Sequence, residues 1–315
     1  MQAALYNLLF RLLSVAGPAP ARRFAHLFIR QYYRIRRCLP RPTLPAAPVD
    51  SMGLVFPNPV GLAAGLDRDG SLLQELASSA FGFIEIGTVN IDSRHDNQDA
   101  TASLLKNIRR ARNFYDASKN PRMFGVSTGS LATGGEAHIY SDHARAMDLF
   151  RDHADFMVIN LSRPGSPVRD QNQDPGRLDE LLGRIIEKDN ELAKTGRRKV
   201  PLLIKMAVSI DNDVFNREVL TLAVKHGFRG AILAFENRDN MDEVAGYISR
   251  LRARFESLSL IVVGGIHTAA DAGRILDAGA SLVQIYSCLV RHGPYQTDRV
   301  IGDIVAARHA LQSGC

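Results

Sequence analysis

The 315-residue sequence contains no tryptophan, only three cysteines and no run of eighteen apolar residues. The missing apolar run argues against a membrane-spanning helix, which needs about 20 such residues. Cys38, Cys288 and Cys315 are too few and too widely separated for a disulfide framework or a metal-ligand cluster. We therefore predict no metal site, and this use of cysteine is typical of a reducing, cytoplasmic compartment.

Acidic residues are missing from the first 49 positions, which contain eight arginines; the first acid is Asp50. Eight of the 39 basic residues thus lie in these first 49 residues, which we call the leader. The rest of the chain has 31 basic and 33 acidic residues. The net charge of +6 is therefore a property of the leader. Because the body has no excess of basic residues, we predict no nucleic-acid partner.

The leader reads as two short amphipathic helices separated by Gly17-Pro18. Leucines recur at helical spacing over residues 5–13, and a second stretch combines apolar residues with arginines. This pattern is typical of a segment on an anionic membrane surface, and we predict residues 1–40 to be such a segment. The alternatives are a helical hairpin packed on the body and a secretory signal, although a basic start is missing. Proline-rich residues 39–49 indicate a linker.

Short, mostly continuous apolar runs recur along the rest of the chain, as expected for strands covered on both faces. Amphipathic stretches follow most of these runs, and the polar, basic stretch 89–123 is the weakest part of the pattern. Eight strand–helix units predict that residues 41–315 form a (β/α)8 TIM barrel. A doubly wound sheet is the alternative, but no G-x-G-x-x-G follows the first strand. The runs are 60–64, 82–87, 124–128, 156–162, 201–207, 230–235, 260–265 and 282–287.

Two of these strands end in residues suited to a phosphate. In TIM barrels a phosphate often binds between the loops after strands 7 and 8. The seventh run ends in Gly264-Gly265 and precedes a helix that begins near Thr268, while the eighth ends in Tyr286-Ser287. Glycines allow close approach of the backbone, and a helix N-terminus directs N–H groups at an anion. The alternative is an ordinary pair of turn glycines.

Other strand ends carry groups suited to a flat ring. Lys205 lies within an apolar run, and a lysine that points inward needs an acceptor such as a cofactor carbonyl or an anionic ring. Asn160 provides both donor and acceptor, and Thr88 adds a hydroxyl. Small residues over 63–65 would let a flat group lie against the backbone. With donors at both ends, the pocket favours flavin mononucleotide (FMN) over a free sugar phosphate.

Four motifs resemble the quinone-dependent (class 2) dihydroorotate dehydrogenases. They are NPVGLAAGLDRDG, IEIGTV, VVGGI and, most specifically, AGASLVQIYS. The resemblance implies a (β/α)8 flavoprotein oxidoreductase with a two-helix leader at the periphery of the inner membrane and a quinone as a possible electron acceptor. It also implies FMN contacts from Ala63, Ala64, Gly65, Thr88, Asn160, Lys205, Gly264, Gly265, Tyr286 and Ser287.

The departures from the family pattern concentrate on groups that hold or deprotonate dihydroorotate. Arg163 stands where the family has its serine base, and Gly165 replaces an asparagine that holds the substrate. Arg68 replaces the substrate lysine, and Ser127 replaces an asparagine that contacts the flavin. General-base removal typically costs about 10²–10⁴-fold in rate. We therefore expect an altered substrate.

Arg163 and Arg68 are candidates to hold a small anionic substrate, because guanidinium groups bind carboxylates and phosphates in a bidentate manner. Glu236 is the candidate proton acceptor. Ser162 is another candidate base, although strand alternation would turn it away from the flavin. Alternatively, an Arg163–Glu236 ion pair closes an inactive scaffold, with or without FMN. A third possibility is a flavin-free barrel that binds a phosphorylated metabolite.

Overall fold

The structure is a computed structural model that describes residues 2–39, 46–90, 98–116, 122–130, 136–162, 175–236 and 240–312. Within these ranges, no helix is both long enough and apolar enough to cross a membrane. The same ranges contain no group of three or more histidine, cysteine, aspartate or glutamate residues placed to hold a metal ion.

Helices and strands alternate along most of the chain. The strands are β1 (Val49–Ser51), β2 (Leu54–Phe56), β3 (Val60–Leu62), β4 (Phe83–Asn90), β5 (Met123–Gly129), β6 (Phe156–Asn160), β7 (Leu202–Val208), β8 (Gly230–Phe235), β9 (Ser259–Val263) and β10 (Leu282–Ile285). The helices are α1 (Gln2–Val15), α2 (Pro18–Arg37), α3 (Leu73–Leu76), α4 (Gln98–Asp116), α5 (Glu136–Phe150), α6 (Pro175–Lys194), α7 (Asp213–Lys225), α8 (Met241–Arg254), α9 (Ala269–Asp277) and α10 (Ser287–Gln312).

Strands β3 to β10 form a closed parallel barrel, in which each strand pairs with the next and β10 pairs with β3. The predicted TIM barrel with an N-terminal helical extension is therefore confirmed. The eight apolar runs correspond to the eight barrel strands with small shifts at their ends. They could be recognised because helices outside and side chains inside bury both faces of each strand.

The N-terminal end of the barrel interior is apolar and closed. The antiparallel β1–β2 hairpin, which the sequence pattern did not reveal, inserts Phe56 against Phe83 and Phe156. These three rings are fully buried, with centroids 5.2–6.2 Å apart. The remaining side chains of this cluster are aliphatic or methionine, and they come from β6 to β10 and the β1–β2 turn. This end of the barrel is therefore packed core.

The leader forms a hairpin of α1 and α2 that packs on α10. Tyr6 is buried and its hydroxyl donates to the Val290 carbonyl at 2.6 Å, while the buried Tyr33 hydroxyl donates to Asp298 at 3.0 Å. The leader thus packs on the barrel as a helical hairpin, which was one of the two alternatives to a segment on a membrane surface. However, Leu5, Leu8 and Leu12 on α1 remain 56–59% exposed, so the hairpin buries only part of its apolar surface.

Helix α4 occupies the stretch in which the sequence pattern was weakest. Its buried residues Leu104, Ile108, Ala111 and Tyr115 are spaced three or four apart and form one apolar stripe. The basic residues that obscured this stripe lie outside it. One of them, Arg112, stacks 4.1 Å from the Phe124 ring and forms an ion pair with Asp155.

Candidate active site

The C-terminal end of the barrel interior is polar, and its centre is a buried ion pair. Lys205 of β7 points inward and is 7% exposed, and its Nζ lies 3.1 and 2.9 Å from the two carboxylate oxygens of Glu85 on β4. Gln284 of β10 donates to the same carboxylate at 2.9 Å, and the Ala64 amide does so at 3.3 Å. Three strands and one loop therefore hold the Lys205 ammonium group at a fixed position.

Asn160 lies beside this pair, because its position on β6 is in register with Lys205. Its side-chain amide donates to the Thr88 hydroxyl at 2.6 Å. Its carbonyl oxygen accepts from both the N–H and the hydroxyl of Ser162, at 2.9 and 2.7 Å. Because β6 ends at Asn160, strand alternation does not extend to Ser162, whose side chain folds back onto Asn160. The expectation that Ser162 turns away from the flavin unless the loop is rebuilt stays a prediction.

Residues 63–65 follow β3 and continue across the barrel mouth. The Ala63 amide donates to the Ile285 carbonyl at 3.1 Å, and the Gly65 amide donates to the Gly87 carbonyl at 2.7 Å. Gly65 has φ 110°, and a Cβ there would lie 3.9 Å from the Tyr286 ring. Glycine is needed for this backbone conformation, and the loop remains thin enough for a flat ligand.

The end predicted to bind phosphate is formed by the Gly264-Gly265 pair and by the start of α10. Gly264 has φ 113°, and a Cβ there would lie 2.0 Å from the Phe235 carbonyl oxygen, so only glycine fits. Helix α10 starts at Ser287, directly after β10, and the first N–H groups of a helix have no partner within it. The backbone here can therefore present several donors to an anion.

Helix α9 contributes less to this end than the sequence suggested. Asp271 accepts from the amides of His267 and Thr268 at 3.1 and 2.9 Å, while Thr268 caps the Asp271 amide. This capping box places a carboxylate at the N-terminus of α9. The start of α10 is therefore the better donor for a phosphate.

The donor set at the barrel mouth fits FMN. Ser127 Oγ and Gln284 Oε1 are buried and have no hydrogen-bond partner among the described residues. Ser127 lies in register with Gly87 and with Val158, which is two residues before Asn160 on β6. Buried polar atoms are normally paired, so unpaired ones beside Lys205 indicate room for a polar ligand. A ring at this end and a phosphate at Gly264-Gly265 would match the arrangement.

Comparison with known proteins identifies the family. A dihydroorotate dehydrogenase family model matches residues 241–307. The quinone-dependent dihydroorotate dehydrogenase of Chloroflexus aurantiacus is 35% identical over 294 residues, which is 79% of each chain. The Chromobacterium violaceum enzyme of the same name is 33% identical over 295 residues, covering 79% of this chain and 83% of the relative. This chain belongs to the quinone-dependent dihydroorotate dehydrogenase family.

Solved structures of the same family share the fold. A dihydroorotate dehydrogenase from Eimeria tenella, crystallised with ferulenol, superposes with a TM-score of 0.76 and 19% identity. The alignment covers 95% of this chain and 93% of that one. The ligand-free form of the Eimeria enzyme gives a TM-score of 0.72.

Two of the residues that depart from the family pattern are exposed at the end of the barrel that contains Lys205. Arg68 is exposed on the loop after β3, and Glu236 is exposed at the end of β8. Arg163 and Gly165 lie outside the described residues, so the Arg163–Glu236 ion pair and the Arg163–Arg68 clamp remain hypotheses. Near Arg68, burial raises the pKa of the Asp67 carboxyl group to about 8, and its Oδ2 accepts from the Leu72 amide.

Sequence reasoning missed Glu85 and Gln284, although both carried a signal. Gln284 is the single polar residue of β10, as Lys205 is of β7, and Glu85 is the single polar residue of the apolar run 82–87. A polar residue at such a position needs a partner across the barrel interior. Comparing the three strands would have suggested the pairing.

Proposed function

We propose that this member of the dihydroorotate dehydrogenase family is an FMN-dependent oxidoreductase acting on a small anionic substrate other than dihydroorotate. When bound, FMN would supply two-electron redox chemistry of the kind that oxidises a CH–CH bond. The observation that carries the proposal is the inward Lys205, held by Glu85 and lying beside Asn160.

This geometry supports a role for Lys205 in holding the flavin ring. Burying an ammonium group and a carboxylate is costly unless both are well paired. The three donors around Glu85 offset that cost and leave Lys205 with unused N–H capacity. We assign the other contacts of FMN to residues 63–65, Thr88, Asn160, Gly264-Gly265 and the start of α10.

The departures from the family's sequence pattern support an altered substrate. Where the family has its serine base, this chain has Arg163, a group that donates hydrogen bonds and does not accept protons. We propose that Arg163 and Arg68 bind an anionic group of the substrate and that Glu236 accepts the proton. Ser162 is the second candidate for the base, because the hydrogen bond of its hydroxyl to Asn160 holds it beside the proposed flavin contacts.

We also propose a cytoplasmic location at the periphery of the inner membrane, with a quinone as the electron acceptor. The exposed leucines of α1 and the arginines of the leader support a membrane surface as a partner. The quinone is proposed from the names of the relatives.

The visible absorption spectrum of the protein purified without added cofactor tests the flavin assignment. We expect flavin bands, and we expect colourless protein to regain them on titration with FMN. Protein that neither contains nor binds FMN would contradict the proposal and favour the flavin-free barrel.

Anaerobic reduction of the bound flavin tests the substrate assignment. We expect dihydroorotate to reduce the flavin of the wild-type protein roughly 10²–10⁴-fold more slowly than it reduces the flavin of a relative that has the serine base. Among small carboxylates and phosphates, at least one should reduce it faster than dihydroorotate does. The Arg163→Ser variant should lose that preferred donor. Rapid reduction of the wild type by dihydroorotate would refute an altered substrate, and reduction by no donor would favour the inactive scaffold.

A further inference from the structure

Helix α2 carries a concave basic surface that the barrel site does not use. A surface cavity of about 310 Å³ is lined by Arg22, Arg23, His26, Leu27 and Arg30. Its volume is comparable to that of small ligand sites. We call these five residues the α2 basic pocket.

The spacing of these residues places them along one side of α2, next to its packed face. The packed face buries Ala21, Ala25, Ile29 and Tyr33, which repeat at four-residue intervals against the body. The pocket residues occupy the positions between, at i, i+1, i+4, i+5 and i+8 from Arg22. They therefore belong to adjacent turns of one helix and converge on one surface.

The charge of the pocket suits an anion. Arg30 donates to the Ser71 hydroxyl at 2.8 Å, whereas its buried Nε has no partner among the described residues. Burial and the nearby Arg30 lower the pKa of His26, and Asp69 acts in the opposite direction. The pocket lining thus contains three guanidinium groups and no acid. Guanidinium groups match the geometry of phosphate oxygens and bind them in a bidentate manner.

One wall of the pocket is apolar and open to solvent. Leu27 is 59% exposed although it lies among arginines. The same hairpin also exposes Leu5, Leu8 and Leu12 of α1. A ligand that combines a phosphate with an apolar chain matches this combination of surfaces better than a free phosphate does.

We propose that the α2 basic pocket binds the phosphate of an anionic phospholipid, with Leu27 against its apolar part. The proposal rests on the membrane part of the proposed function and makes it specific, because one site rather than diffuse charge selects the lipid. Lipid binding by the pocket does not depend on flavin chemistry. An experiment can therefore contradict the lipid site without contradicting the flavin assignment, and the reverse.

Vesicle sedimentation of the full-length protein tests this proposal. Three vesicles are compared: phosphatidylcholine alone, phosphatidylcholine with phosphatidylglycerol, and phosphatidylcholine with oleate at the same surface charge. The variant Arg22→Gln/Arg23→Gln removes two pocket charges. The matched control Arg11→Gln/Arg34→Gln removes two exposed leader charges outside the pocket. The flavin spectrum and the melting temperature are recorded for each protein as a check on folding.

We expect wild-type protein to prefer phosphatidylglycerol vesicles, and the pocket variant to lose roughly tenfold or more in affinity for them. The control should lose clearly less, and oleate vesicles should not replace phosphatidylglycerol. Equal losses in both variants would overturn the pocket in favour of diffuse attraction, as would equal binding to oleate vesicles. Binding of inorganic phosphate that is abolished in the pocket variant, without vesicle binding, would overturn the lipid assignment.

Discussion

The two ends of the barrel interior are built from the same strands but from different side chains. Phe83 and Glu85 both lie on β4, two residues apart, and Leu203 and Lys205 have the same relation on β7. At the N-terminal end the interior is a dry aromatic and aliphatic cluster. At the C-terminal end it is an ion pair surrounded by amide groups.

The N-terminal end of the interior thus contributes to stability, and the C-terminal end contains the groups suited to chemistry. In TIM barrels the functional groups lie at the C-terminal face, while the opposite face serves stability. In this barrel, the change from apolar to polar side chains takes place within two residues on β4 and on β7. Substitutions at the two ends should therefore have different signatures, and the following predictions test that separation from the largest expected effect to the smallest.

The largest effect is expected for Lys205→Met. Removing the ammonium group leaves the buried Glu85 carboxylate without its countercharge, which typically costs about 3–5 kcal/mol in the free energy of unfolding. Affinity for FMN should also fall, so both readouts change. Urea denaturation and fluorescence titration with FMN measure the two quantities.

The double variant Glu85→Gln/Lys205→Met is the control for this prediction. It removes both charges, so stability should largely return while FMN affinity stays low. If the double variant is no more stable than Lys205→Met, the carboxylate is not the source of the loss. If Lys205→Met binds FMN as wild type does, Lys205 does not contact the flavin.

Phe156→Ala should affect stability alone. It leaves a cavity between the rings of Phe56 and Phe83, and such truncations cost about 3 kcal/mol or more. The more conservative Phe156→Leu should cost less, roughly 1 kcal/mol. In folded protein, FMN affinity should remain close to that of wild type for both variants. A large loss of affinity would show that the two ends are not separate.

The smallest effect is expected for Asp67→Asn, and it depends on pH. Because the pKa of Asp67 in the folded protein is about 8 and its ordinary value is 3.8, the folded state binds this proton more tightly. The resulting stability is fully present below pH 4 and is lost as the pH rises through 8. Asparagine cannot ionise, so it avoids that loss.

Thermal melting at pH 5 and pH 9 measures this prediction. The stability advantage of the variant over wild type should be larger at pH 9 than at pH 5, by a few kcal/mol at most, because about three pH units separate pH 5 from the raised pKa and each corresponds to about 1.4 kcal/mol. Asp303→Asn, which changes an exposed carboxylate on α10, should show no such difference. A variant that is less stable than wild type at pH 9 would contradict the raised pKa.

The barrel could be predicted from the sequence because burial on both faces leaves a simple signal. Each strand is a short apolar run, and eight of them followed by helices leave few alternatives. Helix α4 was harder to recognise, because its arginines obscured the stripe formed by Ile108 and Tyr115. The β1–β2 hairpin was missed because its three-residue strands are too short to show periodicity.

The site was harder to predict, because it depends on register between distant strands. Glu85 and Lys205 are 120 residues apart, and only closure of the barrel brings them together. Likewise, the composition after β9 suggested a helix start that favours phosphate. The Asp271 carboxylate makes this helix start less suitable for a phosphate, because it already accepts hydrogen bonds from the amides of His267 and Thr268.

The floor of the barrel also restricts how this sequence can change. A Cβ at Gly125 would lie 2.1 Å from the Phe156 ring, and one at Gly61 would lie 2.2 Å from the Phe83 ring. Because each glycine has no side chain, it leaves room for the ring of a phenylalanine on the neighbouring strand. Neither member of such a pair can be exchanged alone without leaving a void or a collision. Across homologues, the two positions of each pair should be inherited as a unit.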